Sequence, residues 1–152
     1  MKPLELSFDI RWADIDANKH MRHSAYYDYA AHLRVQLLKN IGMDVVSLAK
    51  SGIGPVLFRE EGIFMREISM DDSIRVNVKL KRLREDGSRW TFFHEFHKDE
   101  GKPAATVTVD GAWLDLDKRK LTALPDNFIQ LMLDISRTDD FEFDIKNSTT
   151  MN

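Results

Sequence analysis

Leu4, Leu6, Phe8, Ile10 and Trp12 alternate with polar residues until Ala13. A period of two over such a stretch predicts a half-buried strand. The chain then turns mainly polar from Asp14 to His23, with Ile15, Ala17 and Met21 as its apolar members. Ser24 follows as a candidate N-cap, and Tyr26, Ala30, Leu33, Leu37 and Ile41 recur at spacings of four and three. That is one apolar helical stripe, widened by Tyr27, Ala31 and Leu38. Gly42 supplies the stop, and 44–50 reads as one further helical turn. From Gly54 onward the pattern is strand. Residues 56–68 are mixed and show no clear register, whereas Ile74, Val76, Val78 and Leu80 alternate cleanly. Asp86-Gly87 marks a hairpin, after which Trp90, Phe92, His94 and Phe96 share a face. A second turn at 99–102 leads to Ala105, Val107, Val109, Gly111 and Trp113. Pro125 introduces a short helix, capped by Asp126, with Phe128, Leu131, Met132 and Ile135 on its apolar side.

This order predicts an α+β architecture. A strand, a long helix, four strands in hairpin sequence and a terminal helix bury one apolar helix against one apolar sheet face in two layers. A five-stranded antiparallel sheet wrapped around the long helix accounts for the pattern. We assign one domain to residues 1–136 and a C-terminal tail to 137–152. The tail is expected to fray, with docking of Phe141, Phe143 and Ile145 on a neighbouring subunit as the alternative.

Composition narrows the function. With 43% hydrophobic and 31% charged residues, 152 residues suit one soluble domain with its own core. The net charge of -3 gives no global field for nucleic acid or an anionic membrane. The absence of cysteine excludes a disulfide framework and a thiol nucleophile. No apolar run is long enough for a signal peptide or a membrane span, so a cytoplasmic protein is expected.

The polar stretch carries the candidate chemistry. Asp14, Asp16, Asn18, His20 and His23 gather proton acceptors and donors at a strand-to-helix junction, as a hydrolytic site requires. Asp16 suits a base or nucleophile, Asn18 an orienting amide, and His20 a donor to an oxyanion or a brace for Asp16. Asp14 reads as structural. His23 either lines a pocket or ties the loop to the helix. A metal site is not expected, because four ligands crowded on one short loop are geometrically awkward. His94 and His97 fall on opposite faces of one strand and read as sheet-surface or subunit-contact residues. Lys79, Lys81, Arg82, Arg84 and Arg89 form a basic cluster, read first as a solvated face and second as a phosphate contact.

The string Asp16-x-Asn18-x-His20-Met21, followed by a helix rich in Tyr and Ala, resembles the hotdog-fold acyl-CoA thioesterases. The resemblance spans about residues 4–135 and includes 64–76, similar to the family's passage from second to third strand. The nearest groups are the 4-hydroxybenzoyl-CoA thioesterases and the plant acyl-carrier-protein thioesterases. The plant enzymes follow their D-x-N-x-H-V string with two Asn, where this chain has Arg22-His23. They also place an acidic residue near the turn between the second and third strands. Ile68 stands there in this chain, with Glu67 beside it, and a second catalytic carboxylate is not identified.

The resemblance implies a hotdog fold and hydrolysis of a fatty or aromatic acyl-CoA or acyl-carrier-protein thioester, without a cofactor. It implies catalytic roles for Asp16, Asn18 and His20. For such a substrate, Tyr26, Met43, Val56, Phe58 and Phe64 are candidates for an acyl tunnel and equally for core, His23 is a candidate at the pocket, and Arg59 and Arg66 are alternative phosphate contacts to the basic cluster. A homodimer or homotetramer with its site between subunits is also implied. The alternatives are a hotdog enoyl- or hydroxyacyl-thioester hydratase and a non-catalytic acyl-thioester-binding module. Hydratases carry D-x-N-P-[LIV]-H, with one residue more between Asp and His than this chain has and Pro where Lys19 stands.

Overall fold

A computed structural model describes residues 2–145. Strand β1 (Leu4–Asp9) leads through a single 3-10 turn (Trp12–Asp14) into the long helix α1 (Ala25–Ile41). Helix α2 (Val45–Lys50) and strands β2 (Ile53–Phe64), β3 (Ser73–Arg84), β4 (Arg89–His97) and β5 (Ala105–Asp115) follow. Strand β6 (Lys120–Leu121), helix α3 (Asp126–Leu133) and strand β7 (Arg137–Asp144) close the described chain. Gly42 ends α1 at φ 93°, a left-handed conformation that favours glycine.

The expected five strands form the sheet in the order β1-β3-β4-β5-β2, wrapped around α1 as in a hotdog fold. Two features differ from the alternation reading. Only β3-β4-β5 are joined as hairpins, because the chain leaves β2 at one edge and crosses the end of the sheet to reach β3. The sheet also gains β6 on β5 and β7 on β3. Residues 137–144 therefore do not fray. They pair in parallel with Leu80–Arg84 beyond the reach of β1, which covers Ser73–Val78 on the same edge. The acidic residues of β7 meet the basic ones of β3 in the pairs Lys81–Asp140 (2.8 Å), Arg82–Glu142 (3.4 Å) and Arg84–Asp144 (2.9 Å). Residues 146–152 of the expected tail lie outside the described residues.

The core sits between α1 and the concave face. Ala25, Tyr26, Tyr29, Ala30, Leu33 and Leu37 of the helix are buried against Ile74, Val76, Val78, Leu80, Phe92, Phe96, Val107, Val109 and Trp113. Burying one large side chain of this kind contributes about 1.5–3 kcal/mol. The Trp90 ring packs closely against Gly111, where a Cβ would stand 2.3 Å from Trp90 Cη2 and 2.6 Å from the Val56 carbonyl oxygen.

Three local expectations are corrected. Ser24 makes no side-chain cap and instead accepts a hydrogen bond from Arg22 Nη1. Asp126 is the first residue of α3, with Pro125 at the cap position. His94 is not at the surface but fully buried, with Nδ1 2.9 Å from the Asn77 carbonyl and Nε2 3.1 Å from Arg34 Nη1. The inward face of β4 carries Trp90, Phe92 and Phe96, so His94 follows its neighbours into the core and takes a partner from α1.

Candidate active site

The polar stretch is a tight, internally bonded loop. Ile15 and Met21 form an antiparallel bridge, the Asp16 N–H donates to the His20 carbonyl (3.0 Å), and Lys19 takes φ 68° to close the turn. A left-handed lysine is costly, and the surrounding bonds hold it there. Two further contacts anchor the loop to the rest of the fold.

Asp14 makes the first. Its fully buried carboxylate accepts from Arg11 Nε (3.0 Å) and Nη2 (2.7 Å) and from the Tyr29 hydroxyl of α1 (2.5 Å). The Arg11 bonds hold the carboxyl below its ordinary range, outweighing the cost of burial. The second contact comes from the crossing between β2 and β3. Met21 N–H donates to the Ile68 carbonyl (2.6 Å), and His20 bridges Ser69. The crossing is itself pinned to the β4–β5 turn by the bidentate Arg66–Asp99 pair (2.6 and 3.0 Å) and by Lys98 Nζ on the Glu67 carbonyl (2.6 Å).

A cavity of about 280 Å³ opens where these pieces meet, lined by Asp16, His20, Met21, His23, Tyr26, Phe64, Met65, Arg66 and Glu67. Asp16 Oδ1 accepts the Asn18 backbone N–H at 2.8 Å, and Oδ2 lies 3.9 Å from His20 Nδ1. A third of the Asp16 side chain is exposed, so water reaches it. Tyr26 also lines the cavity, with its ring 4.9 Å from that of Phe64. Burial and the nearby Asp16 push its phenol up to about 12, so it remains a neutral donor. His23 and Tyr26 bring the N-terminal end of α1 to the cavity, where the helix dipole favours developing negative charge. The arrangement offers a carboxylate open to water, an imidazole beside it and a positive helix end.

Asp16, His20, His23, Tyr26 and Phe64 thus come together. Asn18 does not join the lining; its side chain is exposed, and its contact with Asp16 is through the backbone. Phe58 and Arg59 are also elsewhere. They line a separate cavity of about 560 Å³ with Arg82, Arg84, Arg89 and Asp144, where Arg59 pairs with Glu61 (2.6 Å). Arg89 stacks over Phe58 at 5.3 Å. Arg66, a candidate phosphate contact, does line the cavity, whereas Glu67 is a lining residue that periodicity did not single out. Ile68 is wholly buried, so the acidic side chain that reaches the cavity from the crossing is its neighbour Glu67. The only signal for it was position, because an irregular crossing carries no repeat. Among the described residues no group of three His, Cys, Asp or Glu is placed to hold a metal ion, and no helix is long and apolar enough to cross a membrane.

Residues 10–132 match the model of the thioesterase-like superfamily. No curated protein matches. Solved structures share the fold at low identity. A hypothetical protein of Staphylococcus aureus, solved in complex with CoA, is 18% identical with a TM-score of 0.79, over 87% of this chain and 82% of that one. The DHNA-CoA thioesterase of Staphylococcus aureus is 15% identical with a TM-score of 0.76, over 85% and 87%. The 1,4-dihydroxy-2-naphthoyl-CoA thioesterase of Synechocystis is 15% identical with a TM-score of 0.76, over 88% and 97%.

Proposed function

Because the chain belongs to the thioesterase-like superfamily, we propose that it hydrolyses acyl-CoA thioesters with Asp16 as the catalytic carboxylate. The observation that carries this reading is Asp16 itself, with Oδ1 satisfied by the loop backbone and its side chain open to a cavity walled by His20 and the end of α1. Asp16 takes a proton from water as the water oxygen attacks the thioester carbonyl. Negative charge collects on the carbonyl oxygen, where His20 and the start of α1 are the available stabilising groups. The C–S bond then breaks as the carbonyl re-forms, the proton held by Asp16 passes to the departing sulfur, and CoA leaves as the free thiol with the Asp16 carboxylate restored. Glu67, which lines the same cavity, is the candidate second carboxylate. The CoA bound to the staphylococcal relative supports CoA as the carrier.

A homodimer belongs to the same reading. Strand β2 is a long sheet edge, and Leu57, Phe58, Ile63 and Phe64 along it are exposed. An uncovered apolar edge invites strand pairing. A partner seated there would cover Phe64, which lines the cavity.

Free-thiol release from a panel of acyl-CoAs tests the activity. Asp16→Asn is expected to lower kcat by about 100-fold or more, the usual weight of a general base. Undiminished hydrolysis by Asp16→Asn rejects the assignment. Sedimentation at micromolar concentration tests the dimer.

A further inference from the structure

Arg34 projects from α1 into the core and is 8% exposed. Burial pulls its guanidinium down to about 10, and the charge of Glu60 opposes that shift without cancelling it. Nη1 lies 3.1 Å from His94 Nε2. His94 Nδ1 faces the Asn77 carbonyl at 2.9 Å, an acceptor only, so Nδ1 carries the proton and Nε2 accepts from Arg34. The imidazole is then neutral and supplies no counter-charge. Among the described residues no carboxylate stands within ion-pair distance of Arg34. A cation taken out of water without a carboxylate in ion-pair contact is a destabilising feature, and its position in the fold says what could relieve it.

Helix and strand spacing put that position inward of Tyr26, a residue of the cavity lining. Tyr26 lines the cavity and packs against Phe64 at 4.9 Å and Phe96 at 5.2 Å. His94 precedes Phe96 by two residues on the same face of β4, one step of about 7 Å deeper. Arg34 follows Tyr26 by about two turns on the same buried helix face. Helical side chains lean back towards the N-terminus, which brings the guanidinium towards the aromatic trio. This spacing puts Arg34 inward of Tyr26, with the Asp16 carboxylate at the cavity mouth and, at the inner end, a cation that feels Glu60 only from beyond ion-pair distance. Phe64, the outer member of the trio, lies on the β2 edge and is 46% exposed in the single chain.

We propose that Arg34 is a specificity-determining residue that receives a carboxylate at the far end of the acyl group, so that the preferred substrate is the mono-CoA thioester of a dicarboxylic acid. This rests on the thioesterase reading above. The guanidinium fork matches a carboxylate in two parallel hydrogen bonds, and the anion supplies the charge the core lacks. His94 is a positioning residue that holds the fork by its Nη1 edge.

Octanoyl-CoA and the mono-CoA thioester of octanedioic acid form a matched pair for the test. The wild type is expected to favour the carboxylated substrate in kcat/KM. In Arg34→Met the ratio between the two is expected to fall about 10- to 200-fold, the loss of a hydrogen bond to a charged group, with Arg34→Lys in between. A wild type that favours octanoyl-CoA, or an unchanged ratio in Arg34→Met, overturns the proposal. An unchanged ratio accompanied by loss of dimer assigns Arg34 to a subunit contact and overturns it equally. Thermal shift with free octanedioate and octanoate is a readout that needs neither catalysis nor a folded variant. Greater stabilisation of the wild type by octanedioate supports the inference, and equal shifts reject it. If the wild type releases no thiol from any acyl-CoA, the hydrolytic reading fails, while the thermal shift still decides the role of Arg34.

Discussion

Asp14 and Asp16 stand two residues apart and have opposite surroundings. Asp14 is fully buried and receives Arg11 and the Tyr29 hydroxyl, whereas Asp16 is a third exposed and keeps one oxygen towards the cavity. A carboxylate saturated with donors is a poor base, and one open to water can act as one. The polar stretch made both visible in the sequence. Their division of labour depends on which one faces α1, and that was legible only as a preference. Tyr29→Phe removes one charge-assisted bond from Asp14 and is expected to cost about 1.5–3 kcal/mol in urea unfolding. An unchanged midpoint shows that the bond does not hold the loop to α1. Asn18 shows the limit of a motif at this scale, since it reaches Asp16 through its backbone and points its side chain to solvent.

Among the elements, the crossing between β2 and β3 does most to build the site. It runs past the polar loop, bridges His20 through Ser69 and delivers Phe64, Met65, Arg66 and Glu67 to the cavity. Strand β2 has an irregular register at Leu57/Arg59 and is largely exposed along the edge, so its sequence shows no clean alternation. That is the physical reason residues 56–68 were unreadable. Gly111 is a sharper case of element packing, because it lets the Trp90 ring approach β5 closely beside the backbone of β2. Gly111→Ala must move that ring or that backbone and is expected to cost about 1–3 kcal/mol by overpacking. A thermal melt checks it, and a variant as stable as wild type means the indole has room to shift.

At the scale of the whole molecule, β1 and β7 share one edge of β3 and leave β2 as the long open edge. The same wrapping seals His94 in the core, where burial and Arg34 hold its imidazole down to about 3. An unfolded histidine titrates near 6.5, so below that pH the unfolded chain binds a proton that the folded chain refuses. Stability is therefore expected to fall as pH drops from about 6.5 towards 3, by up to about 1.4 kcal/mol per pH unit from this group. Urea midpoints at neutral and acidic pH check this, with His94→Gln expected to lose less on acidification. Equal losses in both proteins remove His94 from the acid response.

Alternation and helical periodicity determined the strands β1 and β3 to β5, the stripe of α1 and the α+β class, because each needs only local spacing and a preference for burial. The Asp16 to His20 string and its place at a strand-to-helix junction were equally local. Tertiary structure alone decided what meets across the fold. It sent β2 to the far edge, drew residues 137–144 onto β3 through opposite charges, separated Phe58 and Arg59 from the cavity, and brought Glu67 into it. It also buried Arg34 against His94, sixty positions away. Long-range pairings like these leave no periodic trace in a chain, since they depend on how sheet and helix close around one another.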